Sequence, residues 1–208
     1  MDKSIFQKKI NENLQRLTHY FETLPWENED FYNCWLAQTH AYVSYTEVFL
    51  KMCTDRVGEG HALKKHFDHH LEEEVGHDKL SENDIKFMES PRYPVFGLTG
   101  VFWKSQFYWI KEHGPTAHLG YSLFLEGLAA ISGPKILRRV QKAGHKGYTF
   151  LKVHAEEDTS HYETAIGTAL KLTDLERKNI FQNMSEGMET YMAILKKCED
   201  FALNSQAA

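Results

Sequence analysis

The chain has little of what would place it in several large protein classes. It contains only three cysteines in 208 residues, Cys34, Cys53 and Cys198, widely separated and with no CxxC pair. That excludes a disulfide framework and a thiolate metal cluster. It fits a reducing compartment, the cytoplasm, with the three thiols as buried core. Prolines number five, and four of them, Pro91, Pro94, Pro115 and Pro134, fall in the middle of the chain, where they predict helix boundaries. No run alternates apolar and polar residues with period two, which argues against a sheet. Apolar runs are short, as in GLAAIS, and the opening MDKSIFQKKI lacks an apolar core behind positive charge, so neither a membrane span nor a signal peptide is expected. A net charge of −5 leaves no broad basic surface, and nucleic acid and membrane are not expected as partners.

What is present is helical periodicity. Ile5, Ile10, Leu14 and Leu17 open the chain at period 3.6, and Trp35, Leu36, Tyr42, Val43, Phe49 and Leu50 continue it. This predicts an all-α chain with helices over 3–23, 28–54, 59–80, 96–113, 116–131, 135–143, 148–171 and 174–203. With 42% hydrophobic residues, 25% charged residues and no shift of composition, it predicts a single domain over 1–208. Thr173 and Glu176 have capping-box spacing at the start of the last helix. Gly114-Pro115 and Gly133-Pro134 bracket the stretch that contains Glu126.

The densest chemistry lies in HAEEDTSH. His154, Asp158 and His161 stand at i, i+4 and i+7, so on a helix they project within about 60° of one another. Imidazole and carboxylate without thiolate suit iron, manganese or zinc. Upstream, HALKKHFDHHLEEEVGHDKL holds His61, His66, His69, His70, Glu72, Glu73, Glu74 and His77. On one continuous helix His66, His70, Glu73 and His77 share a stripe, with Glu74 flanking it by about 60°, so the pattern alone leaves Glu73 and Glu74 both open as ligands. Glu74-x-x-His77 has the i, i+3 spacing used by dinuclear iron sites in helical bundles, and Asp158-x-x-His161 repeats it. A further carboxylate should come from a third helix. Glu126, set among apolar residues in SLFLEGLAAIS, is the candidate, because an ionised carboxylate there is costly unless it meets a cation. Gly127 after it would admit another helix closely.

His66, His69 and His70 read as exposed residues on a charged helix, one of them available to orient a ligand. His40, among aromatics, reads as a satisfied core histidine or a wall of the substrate pocket. The many aromatics, Tyr42, Tyr45, Phe102, Trp103, Phe107, Tyr108 and Trp109 among them, suit core packing with some left for a pocket. Lys152 would point about 160° away from the metal stripe.

The segments EEEVGHD, FLEG and HAEEDTSH, in that order and with similar separations, resemble the haem-oxygenase-like diiron oxidases and oxygenases, the iron-containing redox enzymes. The E-x-x-H spacing is similar to that of their undecene-forming fatty-acid decarboxylase branch. The resemblance spans roughly residues 30–200. It implies a TenA-like, haem-oxygenase-like bundle of seven or eight helices. It further implies two Fe(II) ions, or manganese, held by Glu74, His77, Glu126, His154, Asp158 and His161. Dioxygen would be the co-substrate, with an external electron donor, a small amine, amino acid or fatty acid as substrate, and a homodimer as a frequent assembly. Two other functions fit parts of the pattern: a ferritin-like metal-binding protein without turnover, and a metal-free TenA-like hydrolase that would need a cysteine in its pocket.

Overall fold

A computed structural model describes residues 1–60, 62–87 and 93–205; His61 and Pro91 of the sequence argument lie outside them. The described chain is helical without a strand: α1 (Lys3–Thr23), α2 (Glu29–Val43), α3 (Thr46–Arg56), α4 (Ala62–Glu74), α5 (His77–Ile85), α6 (Gly97–His113), a 3-10 turn (Pro115–His118), α7 (Leu119–Lys142), α8 (Thr149–Ala169) and α9 (Asp174–Ser205). Segments α2 and α3 meet across a two-residue turn, and so do α4 and α5, so the nine α-helical segments among the described residues make seven rods. No helix among the described residues is long and apolar enough to cross a membrane.

Local chemistry sets most of the ends. Asp2 caps α1 by accepting from the backbone N–H groups of Ser4 and Ile5, and Asn28 caps α2 by accepting from Phe31. Thr173 and Glu176 form the expected reciprocal box: the Thr173 N–H donates to Glu176 Oε2 at 2.9 Å, and the Glu176 N–H donates to Thr173 Oγ1 at 3.3 Å.

Three boundaries differ from the periodicity. The predicted helix over 28–54 breaks at Ser44-Tyr45, where the Ser44 hydroxyl donates to the His40 carbonyl at 2.6 Å and competes with the backbone ladder. The one over 59–80 breaks at Val75-Gly76, where Gly76 takes φ +85° and donates its N–H to Glu47 Oε1 at 2.9 Å. Conversely, 116–131 and 135–143 fuse into α7, which runs through Pro134. A proline inside a helix costs about 3 kcal/mol. Here burial of Ser132, Gly133, Ile136 and Val140 around it offsets that cost, and the helix continues past it.

Helix α7 packs along α8 and α9 and touches α1. Its glycines make those approaches close. A Cβ on Gly120 would sit 2.2 Å from the Ile180 carbonyl oxygen of α9, and one on Gly133 would sit 3.1 Å from Ala155 of α8. At Gly127, Leu14 of α1 and Tyr162 of α8 take up the space a side chain would need. These contacts press Glu126 and the ligand-rich face of α8 towards one interior point.

Candidate metal centre

Three rods supply the centre. On α8, Asp158 is buried between two imidazoles: His154 Nδ1 lies 3.1 Å and His161 Nδ1 3.4 Å from the same oxygen, Oδ1. Glu74 is the last residue of α4 and His77 the first of α5, so the kink at Gly76 turns the two side chains towards each other, with Glu74 Oε2 3.4 Å from His77 Nδ1. Glu74 is buried, whereas Glu73 stays partly open at the edge. From α7, Glu126 enters with its Oε1 3.4 Å from His70 Nε2.

All six residues singled out from the sequence therefore gather at one place, and His70 joins them. The expectation that His66, His69 and His70 are exposed fails for His70, which is buried, and for His66, which is half-buried; only His69 stands open. Its signal was the i, i+4 relation of His70 to Glu74 on one helix face. The other correction concerns His40. It does not line the cavity described below; its Nδ1 lies 2.9 Å from Ser81 Oγ, tying α2 to α5 as a partly buried, satisfied histidine.

Two groups of donor atoms emerge, each with its members within 4.8 Å of one another: His70, Glu74 and His161, and Glu74, His77 and His154. Glu74 belongs to both. The His70 and His161 rings are 5.6 Å apart and those of His77 and His154 5.2 Å apart. Several donors have no hydrogen-bond partner although buried: His77 Nδ1, Glu126 Oε2, His154 Nε2 and His161 Nδ1. Buried polar atoms are rarely left so, and a cluster of orphaned imidazole nitrogens and a carboxylate oxygen around shared carboxylates is what cations would satisfy. The donor set thus fits a pair of divalent ions.

Electrostatics agree. Burial lifts the Glu126 carboxyl to about 7, with Asp158 and Glu74 adding to the effect and His70 and His161 opposing it. Burial also works against ionising Glu74, but the neighbouring imidazoles of His70 and His77 and the charge of His154 outweigh it and hold the carboxyl well below its usual range. His161 rises to about 9, chiefly through Asp158. His70 and His154 are raised as well: burial resists, while Glu126 and Glu74 on one side, and Asp158 and Glu74 on the other, prevail.

Beside this cluster lies a cavity of about 110 Å³. Glu74, Glu126, His154 and Asp158 form one end; Trp35, Tyr42, Leu125, Leu128, Leu151 and Tyr191 give much of the rest. Among the described residues that line it there is no lysine, arginine or cysteine. Tyr121, whose buried hydroxyl has no hydrogen-bond partner, also faces it, as does His118, kept neutral by burial.

No family model and no curated protein matches the chain. Solved structures share its architecture. One is a domain of unknown function with a haem oxygenase-like fold from Shewanella denitrificans OS217, 16% identical, with a TM-score of 0.79 over 100% of this chain and 97% of that one. Another is a TenA homolog from Pseudomonas syringae pv. tomato strain DC3000, 11% identical, with a TM-score of 0.71 over 95% of each chain. The fold is the single-domain, all-helical haem oxygenase-like bundle.

Proposed function

We propose that the protein is a dioxygen-dependent nonhaem diiron oxidase or oxygenase acting on a small, largely apolar organic substrate. The observation that carries this is the pair of donor groups sharing Glu74 at the end of an apolar cavity. Glu74, His70 and His161 would hold one ion and Glu74, His77 and His154 the other, with Glu126 and Asp158 within reach as further carboxylate ligands. Two ferrous ions, when bound, supply electrons for reducing dioxygen, and an external donor would restore them between turnovers.

The chain's own groups do the rest. Asp158 touches His154 and His161 together, so it sets both rings at once. His70, between Glu74 and Glu126, holds the α4 and α7 carboxylates in register. The aliphatic and aromatic walls keep bulk water from the metal end and strengthen charge interactions there. They also speak to the substrate. A zwitterionic amino acid would bring two charges into a cavity whose described walls offer carboxylates only at the metal end and no lysine or arginine, whereas an apolar chain or ring with one polar head needs no more than that.

Manganese would suit the same donors, and the choice rests with the test. Anaerobic titration should show two ferrous ions per chain, and admitting oxygen should consume it in proportion to the iron. An Asp158→Asn variant should lose both behaviours. Failure of the wild-type chain to take up iron, or uptake with no oxygen consumed, would overturn the proposal. The TenA-like hydrolase alternative would draw on a cysteine near the cavity. Cys34, Cys53 and Cys198 are all buried and none belongs to the described lining, and separate Cys→Ser changes should leave turnover intact.

A further inference from the structure

A second opening, about 60 Å³, lies between α4 and α8, with His70 and His161 of the centre in its lining. Its described lining is His66, His69, His70, Glu73, Ser160, His161 and Thr164. Only His70 and His161 belong to the donor groups described above; the other histidines and Glu73 have no part in the proposed resident site. Their geometry is a ladder. His69 Nε2 lies 3.3 Å from Glu73 Oε1, and the other oxygen of Glu73, Oε2, lies 3.4 Å from His161 Nε2. The far nitrogen of His161, Nδ1, lies 3.4 Å from Asp158 Oδ1 inside the centre. Each rung thus presents one ligand atom outward and another inward.

Exposure falls along the same sequence. The side chains of His69, Glu73, His161 and Asp158 are 64%, 36%, 9% and 4% exposed. Beside them His66 has a buried Nε2 with no hydrogen-bond partner, and its ring centroid is 6.0 Å from that of His70. The outer donors do not close on a single point as the inner groups do: His69, Glu73 and His161 form no three-membered group within 4.8 Å. That is the arrangement of a passage rather than of a storage site.

We infer that His69 and Glu73, with His66 alongside, are a loading site for first-row divalent cations, which take the ion from solvent and hand it through His161 to the buried pair. The physical need is plain. A hydrated divalent ion loses its water shell on moving inward, and an uncompensated ion in a dry interior is prohibitive, so each lost water must be replaced at once by a protein ligand. A carboxylate that faces an exposed imidazole with one oxygen and a buried one with the other meets that need. Its negative charge at the mouth also raises the local concentration of cations. The transfer is ligand exchange only: no electron moves, and a proton leaves whichever imidazole accepts the ion. The inference rests on the dinuclear reading of the inner centre.

The test is stopped-flow loading of metal-free protein with Co(II), read by its visible ligand-field absorption, with no turnover involved. The double variant His69→Ala, Glu73→Gln should load roughly tenfold more slowly than wild type and still finish at the wild-type cobalt stoichiometry. Glu72→Gln, which removes the same charge from an exposed neighbour, should load at the wild-type rate. Equal rates for the double variant and wild type would overturn the loading role. So would a lowered final stoichiometry, which would make Glu73 a resident ligand, or equal slowing by Glu72→Gln, which would reduce the effect to net charge. Failure of the wild type itself to take up cobalt would strike the dinuclear reading instead, and that arm separates the two ideas. Thermal melts of the variants should remain cooperative and exclude misfolding.

Discussion

Replacing Glu126 by glutamine should stabilise the metal-free protein and cripple the metal-loaded one. The Glu126 carboxyl, buried on α7, is lifted from the ordinary 4.5 to about 7, foremost by burial. A carboxyl raised in the folded chain favours folding while it is protonated. Its contribution is fully present below pH 4.5 and is lost as the pH climbs through 7. Going from 4.5 to about 7 corresponds to roughly 3 kcal/mol at about 1.4 kcal/mol per pH unit. Glutamine has nearly the same shape, carries no charge at any pH and keeps an oxygen near His70. The shift to about 7 already includes the opposing attraction of His70, 3.4 Å away, so nothing further is subtracted for it. The expected net gain at pH 8 is therefore about 3 kcal/mol, or about 9 °C in Tm for a chain of this size. At pH 4.5 the gain should vanish, because the native carboxyl is by then neutral. Urea melts in EDTA at pH 4.5, 6, 7 and 8 measure it directly. With metal at a hundredfold excess over Kd, each site adds about 2.7 kcal/mol to the wild type, and the order of stabilities should reverse. A variant no more stable than wild type at pH 8 in EDTA, or one whose advantage persists unchanged at pH 4.5, would refute the argument.

Glu74→Gln, which alters the one residue common to both donor groups, should abolish uptake of both ferrous ions, while Glu73→Gln should retain two; metal analysis after desalting distinguishes them. Metal loading at pH 7 should release at least one proton per chain, because His161 is raised to about 9 and must lose its proton to ligate. Calorimetry in two buffers of different ionisation enthalpy counts the release, and a buffer-independent heat would contradict it. For the same reason affinity should climb steadily from pH 6 to pH 9. Gly120→Ala should cost about 3 kcal/mol, since its Cβ would meet backbone atoms of α9 at 2.2 and 2.8 Å. Gly100→Ala in α6, with nothing within 4 Å, should be neutral or stabilising by up to about 1 kcal/mol, which urea midpoints would show.

Much of the centre is legible from residue spacing because the element that carries three of its residues is an unbroken helix. His154, Asp158 and His161 sit on α8 without a bend, so the 3.6 period places them on one face and the structure does the same. Glu126 is legible for a different reason: an acid among Leu, Phe and Ala has few explanations, and the fold buries it beside His70. Pro134 misleads because its local cost is small beside the burial gained by carrying α7 onwards between α8 and α9. The break at Ser44-Tyr45 is invisible to periodicity because it depends on a serine hydroxyl choosing its own helix carbonyl.

His70 was hidden by an assumption of continuity, and Glu74 was ambiguous for the same cause. On an unbroken helix from 59 to 80, Glu73 shares a stripe with His77 and Glu74 lies off to one flank. Gly76, at φ +85°, ends α4 and restarts the chain as α5, so the angular relation between residues before and after it no longer follows the 3.6 period. What survives is the relation within α4 alone. There His70 and Glu74 are i and i+4 and point together to the interior, while His69 and Glu73, the same spacing one residue earlier, point together to the mouth. The run HHLEEE is thus two adjacent histidine–glutamate pairs, one facing in and one facing out, and the glycine two residues beyond it brings His77 back to the inner pair. A single left-handed residue therefore gives both donor groups a common carboxylate, which no continuous helix could supply with the same side chains.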